Sequence, residues 1–431
     1  MEKSPRLPVA RIICLRKAAS RVNWNHRSLR TPFSGSKERT MVYWIAASMA
    51  AVLATLGLLF VPDCSGRSRG AEGGPALRPT TWPRVSLIVP VAGIADCTET
   101  SLRSLLDQDY PTFEILWVTR DAEDDAVSLL RRLTREREES ATPLVRFVTS
   151  GPASRCGQKN HNLLAGVAAA AADTEVFVFA DSTHEARPDW LRALVAPICF
   201  GRTAVTTGYH HILPARATLP LLGRAVTVLA LYRLQECRFI TQPWGGNTAI
   251  ARALFERLKV ADTWAGNVVD DVSLAMLLRQ AGLRATPVRE ACLTTPLNDQ
   301  DCSAWTRWLT RQWLYLKFCF PGSWAAAGML LAALAALIAL AGLQALLLLT
   351  GADASLLNLA SLAFLAGLAG IGLSLRKFHP RPGPVPYWPA AVAAAVFVAI
   401  WSHLRTWRAH EIRWKGIRYR VGAKGRVISI H

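Results

Sequence analysis

The 431-residue chain has no C-x-x-C pair; its nine cysteines, Cys14 through Cys319, are scattered. That spacing indicates neither a zinc cluster nor a small disulfide scaffold, and it is compatible with a domain facing a reducing compartment. No Gly-rich dinucleotide turn follows the apolar strands, so hydride transfer lacks its fingerprint. Acidic residues are scarce, 31 against 50 Lys and Arg, for a formal charge of +19. The basic excess crowds into the first forty residues, the Arg376–Arg381 loop and the tail from Arg405 onward. Each cluster borders an apolar run, which favours anionic lipid headgroups and argues against nucleic acid.

Charge is absent altogether from Met41–Val61, a run of about twenty residues, the length a helix needs to cross a bilayer. Trp324–Leu349 and Leu356–Leu375 are likewise uncharged and Ala/Leu-rich, and Trp388–Trp401 is a shorter candidate. A soluble core helix seldom stays apolar on every face for so long. The expected organisation is a basic, disordered arm over 1–40, a membrane helix over 41–62, and a Gly/Ser/Arg/Pro linker over 63–83. A folded domain follows over 84–303, then an amphipathic interfacial segment over 304–322, two or three membrane segments over 323–402, and a basic tail over 403–431. Translation from Met41 would omit the arm, and is slightly favoured.

Within the folded domain, apolar strands alternate with helical patterns. "VSLIVPV" precedes "TETSLRSLLDQDYP", "EILWVTR" precedes "DAVSLLRRLTRERE", "LVRFVTS" precedes "QKNHNLLAGVAAAA", and "EVFVFAD" precedes "RPDWLRALVAPI". Continuous apolar strands joined through helices predict an α/β fold with a parallel sheet covered on both faces. In such sheets ligands bind beyond the carboxyl ends of the strands. The residues there are Pro90 to Gly93, Asp121 to Asp125, Gly157 to Lys159, and Asp181.

The ordered blocks "VSLIVPVAG", "LDQDYPTFEILWVTRDAEDDAV", "GQKNHNLLAG", "FVFADST", "WGGNTAIARALFE", "VVDDVSLAMLLRQAGLRATPV" and "IRWKGIRYRVG" resemble family 2 type glycosyltransferases, and more narrowly the ceramide glucosyltransferase branch. The resemblance covers about Val85–Pro321 and the tail. It implies a GT-A fold, in which a Rossmann-like, mostly parallel nucleotide half is fused to an acceptor half. The implied reaction is transfer of a hexose from a nucleotide-diphosphate sugar, UDP-hexose foremost, with inversion at the anomeric carbon. The implied acceptor is a lipid hydroxyl.

The resemblance also assigns roles, each with a plainer alternative. Asp121 would bond the base or ribose of the donor, although Asp before a helix is also an ordinary cap. Lys159, entering a helix, would meet phosphate with help from the helix terminus; a solvated lysine is the alternative. Asp181 matches the acid of the DxD-like signature, which holds a divalent cation, Mg²⁺ or Mn²⁺, against the diphosphate. Mg²⁺ is commonly bound through one or two carboxylates plus phosphates. Thr183 stands where a second acid would be, which predicts weak metal binding. Asp271 would be the general base, since an acceptor hydroxyl needs a carboxylate to take its proton; two acids opening a helix are also stabilised by its dipole. Gly245, Gly246 and Asn247 of "WGGN", with Asp270, would line the acceptor or sugar. Of the family's (Q/R)xxRW motif only Arg311 is kept in place, where a guanidinium would contact the departing diphosphate.

Nucleotide sugars are made in the cytosol, so the resemblance requires an integral membrane protein with its catalytic domain on that side. Ten Lys/Arg between Lys3 and Arg39 would pull the first terminus to the same side, a conflict that a start at Met41 removes. Three full spans after the domain would send the tail's eight Lys/Arg outside; a re-entrant Trp388–Trp401 would keep them in. A processive polysaccharide synthase and an inactive scaffold of the same fold are the competing readings.

Overall fold

The computed structural model describes residues 34–61, 81–137, 143–237, 240–351 and 355–431. The chain divides into two units, Met1–Ser48 and Met49–His431. The described part of the first is the opening of helix α1 (Ser34–Phe60). The arm expected over 1–40 lies outside the described residues up to residue 33, and residues 34–40 are helical. Most of the expected linker also lies outside them.

The second unit runs β1 (Val85–Pro90), α2 (Thr98–Leu106), β2 (Phe113–Thr119), α3 (Ala126–Arg137), β3 (Leu144–Thr149), α4 (Gln158–Ala169), β4 (Val176–Ala180), α5 (Trp190–Cys199) and β5 (Val205–Thr207). It continues through β6 (His210–Pro214), α6 (Leu219–Gln235), β7 (Asn247–Ala251), α7 (Arg252–Arg257), α8 (Val260–Trp264), α9 (Asp271–Gln280), β8 (Thr286–Pro287) and β9 (Leu293–Leu297). It closes with α10 (Cys302–Cys319), α11 (Pro321–Leu349), α12 (Leu356–Leu375), α13 (Trp388–Thr406), β10 (Glu411–Trp414), β11 (Ile417–Val421) and β12 (Val427–Ile430).

Seven strands form one sheet in the order β3-β2-β1-β4-β7-β5-β8. All neighbours are parallel except the two pairs made by β7, which runs against β4 and β5. This is the mostly parallel, GT-A-like α/β sheet expected from the sequence. Side-chain direction alternates along a strand, and the core divides accordingly. Val85, Leu87 and Val89 of β1, Ile115 and Trp117 of β2, and Val176 and Val178 of β4 pack with α2, α3 and α5. Ile88, Leu116, Val118, Phe177 and Phe179 point the other way, toward α4, α7, α8 and α9. Each such side chain, fully buried, contributes about 1.5–3 kcal/mol. Because both faces are covered, these strands read as unbroken apolar runs.

Among the described residues four segments are long and apolar enough to cross a membrane: Glu38–Phe60, Pro321–Leu349, Leu356–Phe378 and Val385–Thr406. Helices α11 and α12 pack along each other. Helix α13 is placed differently, side by side with α6 and α10: Trp388, Ala391, Ala395 and Val398 share a cluster with Leu222, Val226 and Leu229 of α6 and with Trp305 and Leu309 of α10. Its start is tied to the α/β domain and its end to α10. Before it, His379 Nε2 lies 2.9 Å from the Ile212 carbonyl of β6. At its end, Ser402 Oγ donates to the Thr306 carbonyl at 3.4 Å. The Lys317 ammonium caps the carbonyls of Thr406, Trp407 and Ala409 at 2.7, 3.0 and 3.0 Å.

Residues 411–430, expected as part of a basic tail, form an antiparallel three-stranded sheet, β10-β11-β12. Lys415 and Gly416 both have positive φ, 47° and 81°, which suits the tight two-residue turn joining β10 and β11. Alternation again sorts the residues: Ile412, Tyr419 and Val421 are buried while Arg413, Arg418 and Arg420 face out.

Candidate active site

The site forms where the carboxyl ends of the central strands meet the openings of two helices. Antiparallel pairing of β7 with β4 sets Asn247 opposite Ala180, so the glycines just before β7 stand beside Asp181, just after β4. Both glycines are required by space. A Cβ on Gly245 would lie 2.1 Å from Asp270 Oδ2 and 2.8 Å from Lys159 Nζ, and one on Gly246 would lie 2.9 Å from Asp181 Oδ2. Lys159 enters from the first turn of α4, and Asp270 and Asp271 from the opening of α9.

Lys159 is the hub. Its Nζ lies 2.9 Å from Asp181 Oδ1 and 3.1 Å from Asp270 Oδ2, and donates to the Gly245 carbonyl at 3.1 Å. An ammonium has three donors, and all three are engaged. Burial opposes its charge, but Asp181, Asp270 and Asp271 outweigh that and hold its pKa above the ordinary lysine value. Burial likewise opposes ionisation of Asp181, yet Lys159 and His184 bring its pKa well below the usual carboxylate range. Asp271 is different. Burial and the neighbouring Asp270 push it up to about 7 against the pull of Lys159. Its Oδ2 accepts from the Gly245 amide at 3.1 Å and its Oδ1 from the Val272 amide at 2.6 Å. A carboxylate poised near neutrality can accept a proton and keep it through a reaction step.

Lys159, Asp181, Gly245, Gly246, Asp270 and Asp271 therefore come together as one cluster. Asn247 does not face it: the residue is fully buried, its Oδ1 accepts from Trp190 Nε1 at 3.1 Å, and its Nδ2 donates to the carbonyls of Ala291 and Tyr209 at 2.6 and 3.3 Å. It braces the loop from behind. Asp121 lies beyond β2, two strands from Asp181 in the sheet order, roughly 10 Å across. Its carboxylate is 47% exposed and sits 3.2 Å from Arg120. Asp124 instead ties loops together, accepting from the amides of Gly93 and Ala126, both at 2.9 Å. Arg311 stands on α10 one turn before Tyr315, and has no hydrogen bond or ion pair among the described residues. Burial pushes the Tyr315 phenol up to about 12; Arg311 opposes that shift while Asp271 and Asp270 add to it.

Other residues gather here that the sequence did not single out. The Thr295 hydroxyl lies 2.6 Å from His184 Nδ1 and 2.7 Å from His210 Nδ1. A hydroxyl donates one hydrogen, so at least one of these nitrogens carries its own. His184 Nε2 is 3.7 Å from Asp181 Oδ2, and His210 stacks on Trp244 at 4.5 Å and 5°. Burial, reinforced by His184 and Arg224, holds His210 well below the ordinary histidine pKa. Arg224 of α6 stacks over Trp308 at 3.4 Å; burial and Arg311 depress it to about 9. His184 follows Asp181 by three residues and Trp244 precedes Gly245, but His210, Thr295, Arg224 and Trp308 come from β6, β9, α6 and α10, with no spacing that links them in sequence.

Among the described residues no three His, Cys, Asp or Glu side chains are placed to hold a metal ion. Asp181 is one-third exposed, and glycine at 246 leaves its Oδ2 face clear. The residues thus fit a cation that arrives with phosphate oxygens of its own, and do not form a preformed metal cage.

Removing the Lys159 ammonium takes away the cation that holds the Asp181 and Asp271 carboxyls down, so the folded-state pKa values of these two rise. A raised carboxylate pKa costs stability as pH climbs through it. Lys159→Ala is expected to lower stability by less than the roughly 3–5 kcal/mol of a fully buried pair, because Lys159 and Asp181 keep 22% and 33% of their side chains exposed. In thermal melts of detergent-solubilised protein the deficit should be larger at pH 8 than at pH 5. An equal deficit at both would contradict this electrostatic description.

No curated protein sequence matches the chain. Among solved structures it is similar to a mannosyltransferase from Pyrobaculum calidifontis in complex with GDP-mannose and Mn²⁺, with 20% identity over 84% of this chain and 99% of that one, at a TM-score of 0.45. It is also similar to GalNAc-T7 with UDP, GalNAc and Mn²⁺, with 13% identity over 56% of this chain and 49% of that one, at a TM-score of 0.38. The sequence profile of glycosyl transferase family 21 matches residues 42–427, and the chain belongs to that family, the ceramide glucosyltransferase family of glycosyltransferases that use nucleotide-sugar donors.

Proposed function

We propose that this chain is a membrane-bound inverting glycosyltransferase that moves a hexose from a nucleotide-diphosphate donor, UDP-hexose foremost, to a lipid hydroxyl such as that of ceramide. The observation that carries this reading is Asp271, a carboxylate pushed up to about 7 and fixed by the Gly245 amide next to the Lys159–Asp181 pair. Asp271 takes the proton of the acceptor hydroxyl as its oxygen attacks the anomeric carbon. The bond from that carbon to the diphosphate oxygen breaks on the opposite face, so the configuration inverts, as when an inverting glycosidase activates water. Asp121 binds the nucleoside end. Lys159 and Arg311 offset charge on the diphosphate, Arg311 having no hydrogen bond or ion pair to give up among the described residues. Gly245, Gly246 and Asp270 line the sugar, with Asn247 supporting the loop. A divalent cation would be held by Asp181, and when bound it neutralises diphosphate charge.

Access for a lipid is supported by α10, which packs through Leu314 and Cys319 against Val268, Val269 and Val272 beside the base and leads directly into α11. The ties at both ends of α13 support a re-entrant or in-plane course for that helix, with α11 and α12 crossing as a hairpin. Its outward side carries Phe397, Trp401, Leu404 and Trp407, each 46–67% exposed, the amphipathic aromatic character of an interfacial helix. On this reading the C-terminal sheet shares the cytosolic side with the catalytic domain, and the parity conflict disappears.

Membranes containing the protein should transfer radiolabelled sugar from a nucleotide donor into an organic-extractable lipid. Asp271→Asn should reduce transfer by about 10²–10⁴-fold, the usual contribution of a general base. Because Asp271 acts ionised, wild-type kcat/KM should climb with pH through about 7 and level off above, whereas the residual activity of the variant should lack that limb. Unchanged transfer by Asp271→Asn would refute the assignment. For topology, a protease-sensitive tag after His431 and one in the exposed turn at Gly201 should be cleaved from the same side of sealed vesicles; cleavage from opposite sides would require α13 to cross.

A further inference from the structure

The C-terminal sheet is bonded to both halves of the cluster. On one side, Tyr419 of β11, 2% exposed, accepts with its hydroxyl from the Gln158 amide at 3.1 Å. This is one of the first amides of α4, which have no partner within the helix, and the next residue is Lys159. On the other side, the sheet grips the loop that leads into Asp270 and Asp271. The Val268 amide donates to the Gly425 carbonyl at 2.9 Å, the Val427 amide to the Gly266 carbonyl at 3.0 Å, and Asn267 Nδ2 to the Lys424 carbonyl at 2.8 Å. Ile412, Tyr419 and Val421 bury against Val268, Val269 and Val272. At the hairpin tip, Lys415 Nζ donates to the Ala92 carbonyl at 3.2 Å, in the loop after β1.

The two gripped segments also meet directly: the Gly157 amide donates to the Asn267 carbonyl at 2.9 Å, and Asn160 Nδ2 to the same carbonyl at 3.0 Å. The geometry between α4 and α9 is what sets the Lys159 separation from Asp270, and the sheet is bonded to the approach to each. We propose that the C-terminal sheet is a brace built into the active site, and that Tyr419 is a positioning residue for Lys159. This rests on the proposed transferase reading, in which Lys159 serves the diphosphate and lowers the pKa of the base Asp271.

The test is Tyr419→Phe in the full chain, which keeps the ring and removes the hydrogen-bond acceptor. Loss of one such bond should reduce kcat about tenfold. Lys159 holds Asp271 down, so a loosened Lys159 should move the acid limb of kcat/KM to higher pH, a change that partial unfolding alone does not produce. Amide hydrogen exchange, which needs no turnover, should quicken in the first turn of α4 and at residues 266–270 while the central sheet stays protected. The brace is overturned if Tyr419→Phe leaves both the limb and these amides unchanged, or if activity merely follows the fraction of folded protein with the limb in place. A wild-type chain without transferase activity would count against the proposed function; the exchange pattern would then decide the brace alone.

Discussion

One partly buried ammonium sets the terms for the rest of the site. Lys159 is shared between Asp181, Asp270 and the Gly245 carbonyl, and its charge is what allows acids from separate elements to sit together under partial burial. Without it their mutual repulsion would add to the desolvation each pays. With it, the acids are differentiated: Asp181, in direct contact with the ammonium, is held ionised, while burial and the neighbouring Asp270 raise Asp271 to about 7 against Lys159 and its two amide hydrogen bonds. Two carboxylates pushed in opposite directions by their surroundings suit the two tasks the proposed function gives them, one facing phosphate and one handling a proton.

Those requirements reach into the fold. The ammonium arrives correctly only if α4 begins at the end of β3, if β7 runs antiparallel to β4 so that Gly245 and Gly246 come up beside Asp181, and if the loop before α9 is held against the opening of α4. Hydrogen bonds from the last strands of the chain help with the third condition. The residues farthest along the sequence thus bear on a cluster that begins at residue 159. The helices α6, α10 and α13 form the apolar side of the same unit through one shared cluster, which puts the base close to the segments that contact lipid in the proposed function.

Much of the fold was legible because a covered parallel sheet leaves a strong trace: continuous apolar strands such as "FEILWVT" can hardly be anything else when helical periods separate them. Lys159, Asp181, Asp270 and Asp271 were legible as polar residues at strand and helix ends, where α/β sheets bind ligands. What could not be read was who touches whom. Nothing in "GQKNHN" says that Lys159 spends its donors on carboxylates, and nothing in "WGGN" says that Asn247 turns inward while the glycines face the acids. Thr295 joins His184 to His210 through a parallel strand pair, β6 with β9, whose members are far apart in sequence. The block "IRWKGIRYRVG" in the basic tail carried part of the resemblance, but a sheet was not legible there because its period-two alternation is short and its arginines dominate the composition. Its buried half, Ile412, Tyr419 and Val421, is what holds it to the domain.

The central claim is that a single base, Asp271, delivers a lipid hydroxyl to the face of the sugar opposite the leaving diphosphate. The most direct measurement is the anomeric configuration of the glycolipid product, determined by NMR on material made from a donor of known configuration. The account predicts inversion, a β-linked lipid from an α-linked nucleotide sugar. A product that retains the donor's configuration would contradict it.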